Sequence, residues 1–237
     1  MVCRDSERKA ATVWRYDKRA VNGAPFVYHA TGLASTDNEG GVEEEVCSYI
    51  FDALDALGVR WGLSHAEVIA ETSPVTGKTR VRLVEVNCRQ HNTDFIPLTN
   101  ACVGYNALDM VLAAHLGDDG DDDSSSHTQG LSWDSIPVLP TTRAYGAIVH
   151  FVSHIKCTNS IIHYDVLEAM EDLASVTDMH VCPQFMEVGN LIKQTVDIRS
   201  DSGWAHLMND DEEEFRRDYA RLVELMKDMF EVEKEDE

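Results

Sequence analysis

The hydrophobic and polar positions divide the first 117 residues into alternating strands and helices. Residues 11–19 (ATVWRYDKR) and 25–34 (PFVYHATGLA) read as two strands. The segment between them carries Asn22-Gly23, a pair suited to the left-handed backbone of a two-residue hairpin turn. Residues 35–41 (STDNEGG) form a loop, and residues 42–58 form an amphipathic helix with Val46, Ile50, Ala53, Leu54 and Leu57 on one stripe. Glu43, Glu44 and Glu45 suit the positive end of its dipole, and Gly58 suits its stop. Residues 61–72 (WGLSHAEVIAET) and 79–87 (TRVRLVEVN) predict a second strand pair across a Pro74/Gly77 turn. Residues 98–117 predict a helix apolar enough to lie against a sheet.

The pattern then breaks. Residues 118–130 (DDGDDDSSSHTQG) are acidic and of low complexity, and a disordered linker over 118–139 is expected. A calcium loop is excluded there: counting from Asp119, its required glycine and glutamate positions hold Ser124 and Gly130. Beyond it come a strand (142–153), a short helix (165–175), a short strand (176–183), two more strands (190–198 and 203–209) and a closing helix (211–230). Phe215, Tyr219, Leu222, Leu225, Met226 and Met229 form the apolar stripe of that last helix. The order predicts a small α+β lobe over 140–232, after a first domain spanning 1–117.

Composition narrows the partners. At 237 residues, 43% hydrophobic and 26% charged, the chain can bury a core without disulfides. A net charge of −22 excludes a nucleic acid or an anionic membrane as main partner, since both need a basic surface. Cys3, Cys47, Cys88, Cys102, Cys157 and Cys182 form no C-x-x-C pair, which suits reduced thiols in a cytoplasmic setting. The charged first residues lack the apolar core of a secretory signal, and no apolar run is long enough to span a bilayer.

The chemistry lies in the second strand pair. Strict alternation places Val81, Leu83, Glu85 and Asn87 on one face of residues 79–87, and Leu63, His65, Glu67 and Ile69 on one face of the partner strand. A turn centred near Thr76 puts Glu67 opposite Glu85, with Cβ atoms about 5 Å apart. Two carboxylates so placed repel. A divalent cation removes the conflict: Mg²⁺ takes oxygen ligands, and Glu67, Glu85 and the amide oxygen of Asn87 supply half of an octahedron. The competing expectation is that both acids face solvent and pair with Lys78, Arg80 or Arg82. Cys88, on the opposite face from Asn87 and Arg89, reads as packing, and Lys18 as a surface residue of its hairpin.

The stretch HAEVIAETSPVTGKTRVRLVEVNCRQHN, with an acid (Glu67) on one strand and E-x-N-x-R (Glu85, Asn87, Arg89) on the next, resembles the C-terminal part of the ATP-grasp fold. It resembles most the carboxylate–amine ligase branch that includes L-amino-acid ligases. The resemblance covers residues 11–117, and the lobe from 142 to 230 is similar to the small domain that some of these ligases append. It implies an α+β fold, an antiparallel sheet with packed helices. It also implies a reaction in which ATP converts a small carboxylate into an acyl phosphate that an amine attacks. Mg²⁺ (or Mn²⁺) is then held by Glu67, Glu85 and Asn87, nucleotide phosphates lie against Glu85 and Asn87, and Arg89 is catalytic. His65, His91 and Asn92 are placed near substrate. Asn92 stands where the family has a glycine, a position where Asn tolerates left-handed angles. The family's phosphate-binding lysines, glycine-rich loop and adenine hinge have no counterpart before Ala11. The chain is therefore expected to be the later part of a longer ligase, partnered by the missing N-terminal half and not turning over alone. A non-catalytic binding module and an unrelated metal-dependent hydrolase are the alternatives.

Overall fold

The computed structural model describes residues 1–36, 41–116, 131–156, 160–186 and 192–232. In chain order the strands and helices are β1 (Val2–Arg4), β2 (Glu7–Lys9), β3 (Trp14–Val21), β4 (Ala24–Leu33), α1 (Val42–Ala56), β5 (Gly62–Leu63), β6 (His65–Thr72), β7 (Thr79–Asn87), α2 (Ile96–Cys102), α3 (Ala107–Leu116), β8 (Tyr145–His150), β9 (Ser160–Ile162), α4 (Tyr164–Glu171), β10 (Val176–Val181), α5 (Pro183–Met186), β11 (Gly203–Asn209), α6 (Glu212–Leu225) and β12 (Phe230–Val232). They form two compact units: residues 1–13 with 34–143, and residues 14–33 with 144–237. The chain has the α+β architecture expected of it. No helix among the described residues is long and apolar enough to cross a membrane.

In the first unit, β1 lies between β2 and β5 in a three-stranded antiparallel sheet, while β6 and β7 form a separate two-stranded ribbon. The β1–β2 hairpin escaped the sequence reading. Its turn residues Asp5 and Ser6 take positive φ without a glycine to announce it. The helix α1 buries Ile50 and Leu54 against Ala66, Val68 and Val86 of the ribbon. The single helix expected over 98–117 is two, α2 and α3, separated at Gly104 with φ of 101°. The expected linker segment 118–139 also needs correcting where it is described. Trp133 and Ile136 are buried with Val2 and Met110, and the buried Lys9 ammonium donates to both of their carbonyls, at 2.6 and 2.7 Å. Residues 118–130 lie outside the described residues.

The second unit is a five-stranded antiparallel sheet in the order β10-β11-β8-β4-β3. The Asn22-Gly23 hairpin forms as predicted, with φ of 53° and 81°. Its strand β4 pairs with β8, so the hairpin joins the sheet of the later lobe and not the 1–117 segment in which it was expected. The helices α4 and α6 pack their apolar stripes on this sheet, burying Met170 and Leu222 with Val149 and Leu207. Asp211 caps α6 by accepting from the Glu213 and Glu214 amides. The expected strand over 190–198 is not formed at residues 193–198, where Ser200 and Asp197 close a turn; residues 187–191 are outside the described part. The predicted last helix stops at Leu225 and gives way to a short 3₁₀ turn and β12.

Candidate functional site

The β6–β7 register sets His65 opposite Asn87 and Glu67 opposite Glu85, the pairing anticipated from the turn. Beyond that point the register steps to Val68 opposite Leu83, leaving Val84 as an extra residue without a partner. This bulge corrects the expected alternation. Val81 pairs with Ala70 and Leu83 with Val68, and Val68 packs on α1, so Val81 and Leu83 belong to the α1 side. Glu85 and Asn87 fall on the opposite side, together with His65 and Glu67. The polar residues therefore share an open face that is free of the Leu and Val expected beside them.

The four side chains converge. His65, Glu67 and Glu85 each present a ligand atom, and those atoms lie within 4.8 Å of one another. His65 Nε2 stands 3.9 Å from Glu67 Oε1, and Asn87 Nδ2 donates to Glu85 Oε1 at 2.6 Å. The Asn87 carbonyl oxygen keeps its lone pairs for another donor or a cation. Of the cations expected as partners for these acids, Arg82 bonds Glu71 instead, at 2.8 Å. The donor set, two carboxylates and an amide with an imidazole at its edge, fits a divalent cation.

Behind the carboxylates stands a wall of rings. The His65 ring stacks on His91 at 4.7 Å, and His91 lies 4.0 Å from the Phe95 ring. Burial pushes the His91 imidazole down to about 4, and the neighbouring His65 and the Arg89 charge add to the effect. Burial also lowers His65, against the opposing pull of Glu67. Asn92 departs from expectation. Its φ of −57° and ψ of 146° are extended, and it caps the turn Thr93–Phe95, its side chain accepting from the Asp94 amide. A cap of this kind holds Phe95 under His91, so the glycine-like role does not apply. Arg89 is exposed and donates to the Gln90 carbonyl at 3.0 Å. Cys88 is exposed, not packed as expected. Lys18 is on the surface of the second unit, its ammonium over the Tyr16 and Tyr28 rings at 4.6 and 4.1 Å. The aromatic wall was missed in the sequence, although the His65-x-Glu67 spacing already put one imidazole on the carboxylate face.

No protein-family model and no curated protein sequence matches the chain. Solved structures do. An L-amino acid ligase from Bacillus licheniformis superposes with a TM-score of 0.65 at 16% identity, over 99% of this chain and 53% of its own. A phosphoribosylglycinamide synthetase from Anaerococcus prevotii gives 0.60 at 9% identity, over 94% and 49%. An N5-carboxyaminoimidazole synthase from Aspergillus clavatus, solved with ADP and 5-aminoimidazole ribonucleotide, gives 0.52 at 9% identity, over 95% and 50%. The fold is that of the C-terminal part of the ATP-grasp ligases. The chain spans about half the length of the structures it matches.

Proposed function

We propose that this chain is the metal-binding portion of an ATP-dependent carboxylate–amine ligase. The observation that carries the reading is the Glu67–Glu85 pair, flanked by His65 and Asn87 on the open face of a ribbon whose other face is packed on a helix. Glu67, Glu85 and the Asn87 amide oxygen would hold a divalent cation, which when bound neutralises nucleotide phosphate charge. The bulge at Val84 turns Glu85 and Asn87 to the open side, and the Asn87-to-Glu85 hydrogen bond fixes the carboxylate's direction. Arg89, two residues beyond Asn87, carries a guanidinium matched to a phosphoryl or acyl phosphate group, stabilising charge as it develops. The His91–Phe95 wall excludes water from one flank of the site and limits what can enter. The substrates are a small carboxylate and an amine, and no covalent protein nucleophile is required.

Phosphate release from ATP tests this, measured with a panel of amino acids for the chain and for any longer product of its gene. Release that depends on an amino acid pair and falls at least about a hundredfold in Glu85→Ala supports the reading. Equal release by Glu85→Ala removes Glu85 from the mechanism and overturns it.

A further inference from the structure

We infer that His65 supplies a nitrogen ligand to this cation through Nε2, so that the site takes a first-row transition ion such as Mn²⁺, Co²⁺ or Zn²⁺ in place of Mg²⁺. The inference rests on the metal site proposed above and goes beyond it in the ligand and in the class of ion. Three observations carry it.

The first is direction. His65 is two residues from Glu67 on β6 and opposite Asn87 on β7, so all four side chains leave the ribbon on the same side. One ring nitrogen lies within 4.8 Å of a ligand atom of each carboxylate, and Nε2 stands 3.9 Å from Glu67 Oε1. The second is the state of the ring. Only 11% of the His65 side chain is exposed, and Nδ1 is buried with no hydrogen-bond partner among the described residues. Nε2 faces Glu67 at 3.9 Å, beyond hydrogen-bond range. Among the described residues neither ring nitrogen is hydrogen-bonded; a cation gives Nε2 a partner, while the buried Nδ1 stays without one. The third is rigidity. The stack on His91, itself against Phe95, holds the ring plane and aims Nε2 at the carboxylates.

The chemistry of the donors then selects the ion. Three oxygens alone suit Mg²⁺ or Ca²⁺, whereas one imidazole among carboxylates suits Mn²⁺, Co²⁺ and Zn²⁺. Transition ions bind most nitrogen–oxygen sites more tightly than Mg²⁺ does, so tight binding alone does not identify His65. What identifies it is a loss confined to the nitrogen-accepting ions when the imidazole is removed.

The test is electron spin-echo modulation on the full chain loaded with Mn²⁺, together with metal titrations. Wild type is expected to show ¹⁴N modulation from a coordinated imidazole. His65→Gln should lose it and bind Mn²⁺ and Zn²⁺ about tenfold or more weakly, with Mg²⁺ affinity changed by less than about twofold. Nitrogen NMR of wild-type imidazoles on Zn²⁺ addition gives the same answer without a variant: the His65 Nε2 resonance should move to a coordinated position. Bound Mn²⁺ without nitrogen modulation in wild type overturns the inference and leaves the oxygen site standing. Modulation that survives His65→Gln and disappears in His91→Phe assigns the nitrogen to the other ring and also overturns it. Absence of Mn²⁺ binding, with and without ATP, removes the metal site and the inference together.

Discussion

Replacing Glu85 by Gln should change stability in opposite directions with and without metal. The perturbation removes one charge and keeps the shape and the oxygen that accepts from Asn87. Ligand atoms of Glu67 and Glu85 lie within 4.8 Å. At that separation two unit charges repel by about 1 kcal/mol in water-like surroundings and by about 3–4 kcal/mol at an effective dielectric of ~20. Glu85 is exposed and the Glu67 side chain is 27% exposed, which places the pair near the lower figure. Metal-free Glu85→Gln should therefore be more stable than wild type by about 1 kcal/mol, some 2–4 °C in melting temperature. Metal at ten times its dissociation constant adds about 1.4 kcal/mol to wild type and almost nothing to the variant. The two melting curves exchange order as Mn²⁺ or Mg²⁺ is added. Scanning calorimetry across a metal titration reads this directly. A variant that is less stable without metal, or one that gains as much from metal as wild type, refutes the argument that the carboxylates are held together for a cation.

Three further outcomes are expected. His91 is pushed from 6.5 to about 4, so the folded state binds fewer protons than the unfolded chain between those values. Above about pH 6.5 this ring exacts no proton-linked penalty, and as the pH falls toward 4 it destabilises the fold by at most about 3 kcal/mol; urea melts should show wild type losing stability relative to His91→Phe across that range, and parallel curves would contradict the burial. Leu54 is fully buried between α1 and the ribbon, and Leu54→Ala should cost about 2–5 kcal/mol and weaken cation binding, measured by denaturant melts and metal titration. A Cβ at Gly203, where φ is 148°, would come within 2.1 Å of the His180 carbonyl, so Gly203→Ala should disrupt the β10–β11 pairing, followed through Trp204 fluorescence on unfolding.

Much of this was legible in the chain, and the failures have physical causes. The Asn22-Gly23 hairpin and the amphipathic helix α1 were readable because turn chemistry and a 3.6-residue stripe are local signals. Partner choice was not. Which sheet a hairpin joins depends on contacts far away in sequence, and the Trp14–Leu33 hairpin pairs with a strand more than a hundred residues later. Trp133 was lost in the linker because an acidic run masked a short apolar segment whose anchor, Lys9, is remote. The stack of His65 on His91 was not legible because a single histidine on a strand carries no signal until its neighbours on the same face are known.

The bulge is the instructive case, since its trace lies in the sequence. Along β7 the apolar residues fall on odd positions at Val81 and Leu83 and on even positions at Val84 and Val86. The lasting shift of apolar residues from odd to even positions between Leu83 and Val84 marks where the pleat changes phase. On β6, Ala66, Val68 and Ala70 keep to even positions, and Ile69, half exposed, is the one apolar residue at an odd position. Two strands with different phase can bury their apolar faces together only if one of them inserts a residue, and Val84 is that residue. The same insertion separates two demands that a regular ribbon would set against each other. Val81 and Leu83 can face α1 while Glu85 and Asn87 face away from it, so Glu85 is spared an apolar surrounding in which its charge would be costly. A site that gathers two acids, an amide and an imidazole on one open face thus depends on one unpaired valine at the middle of the strand.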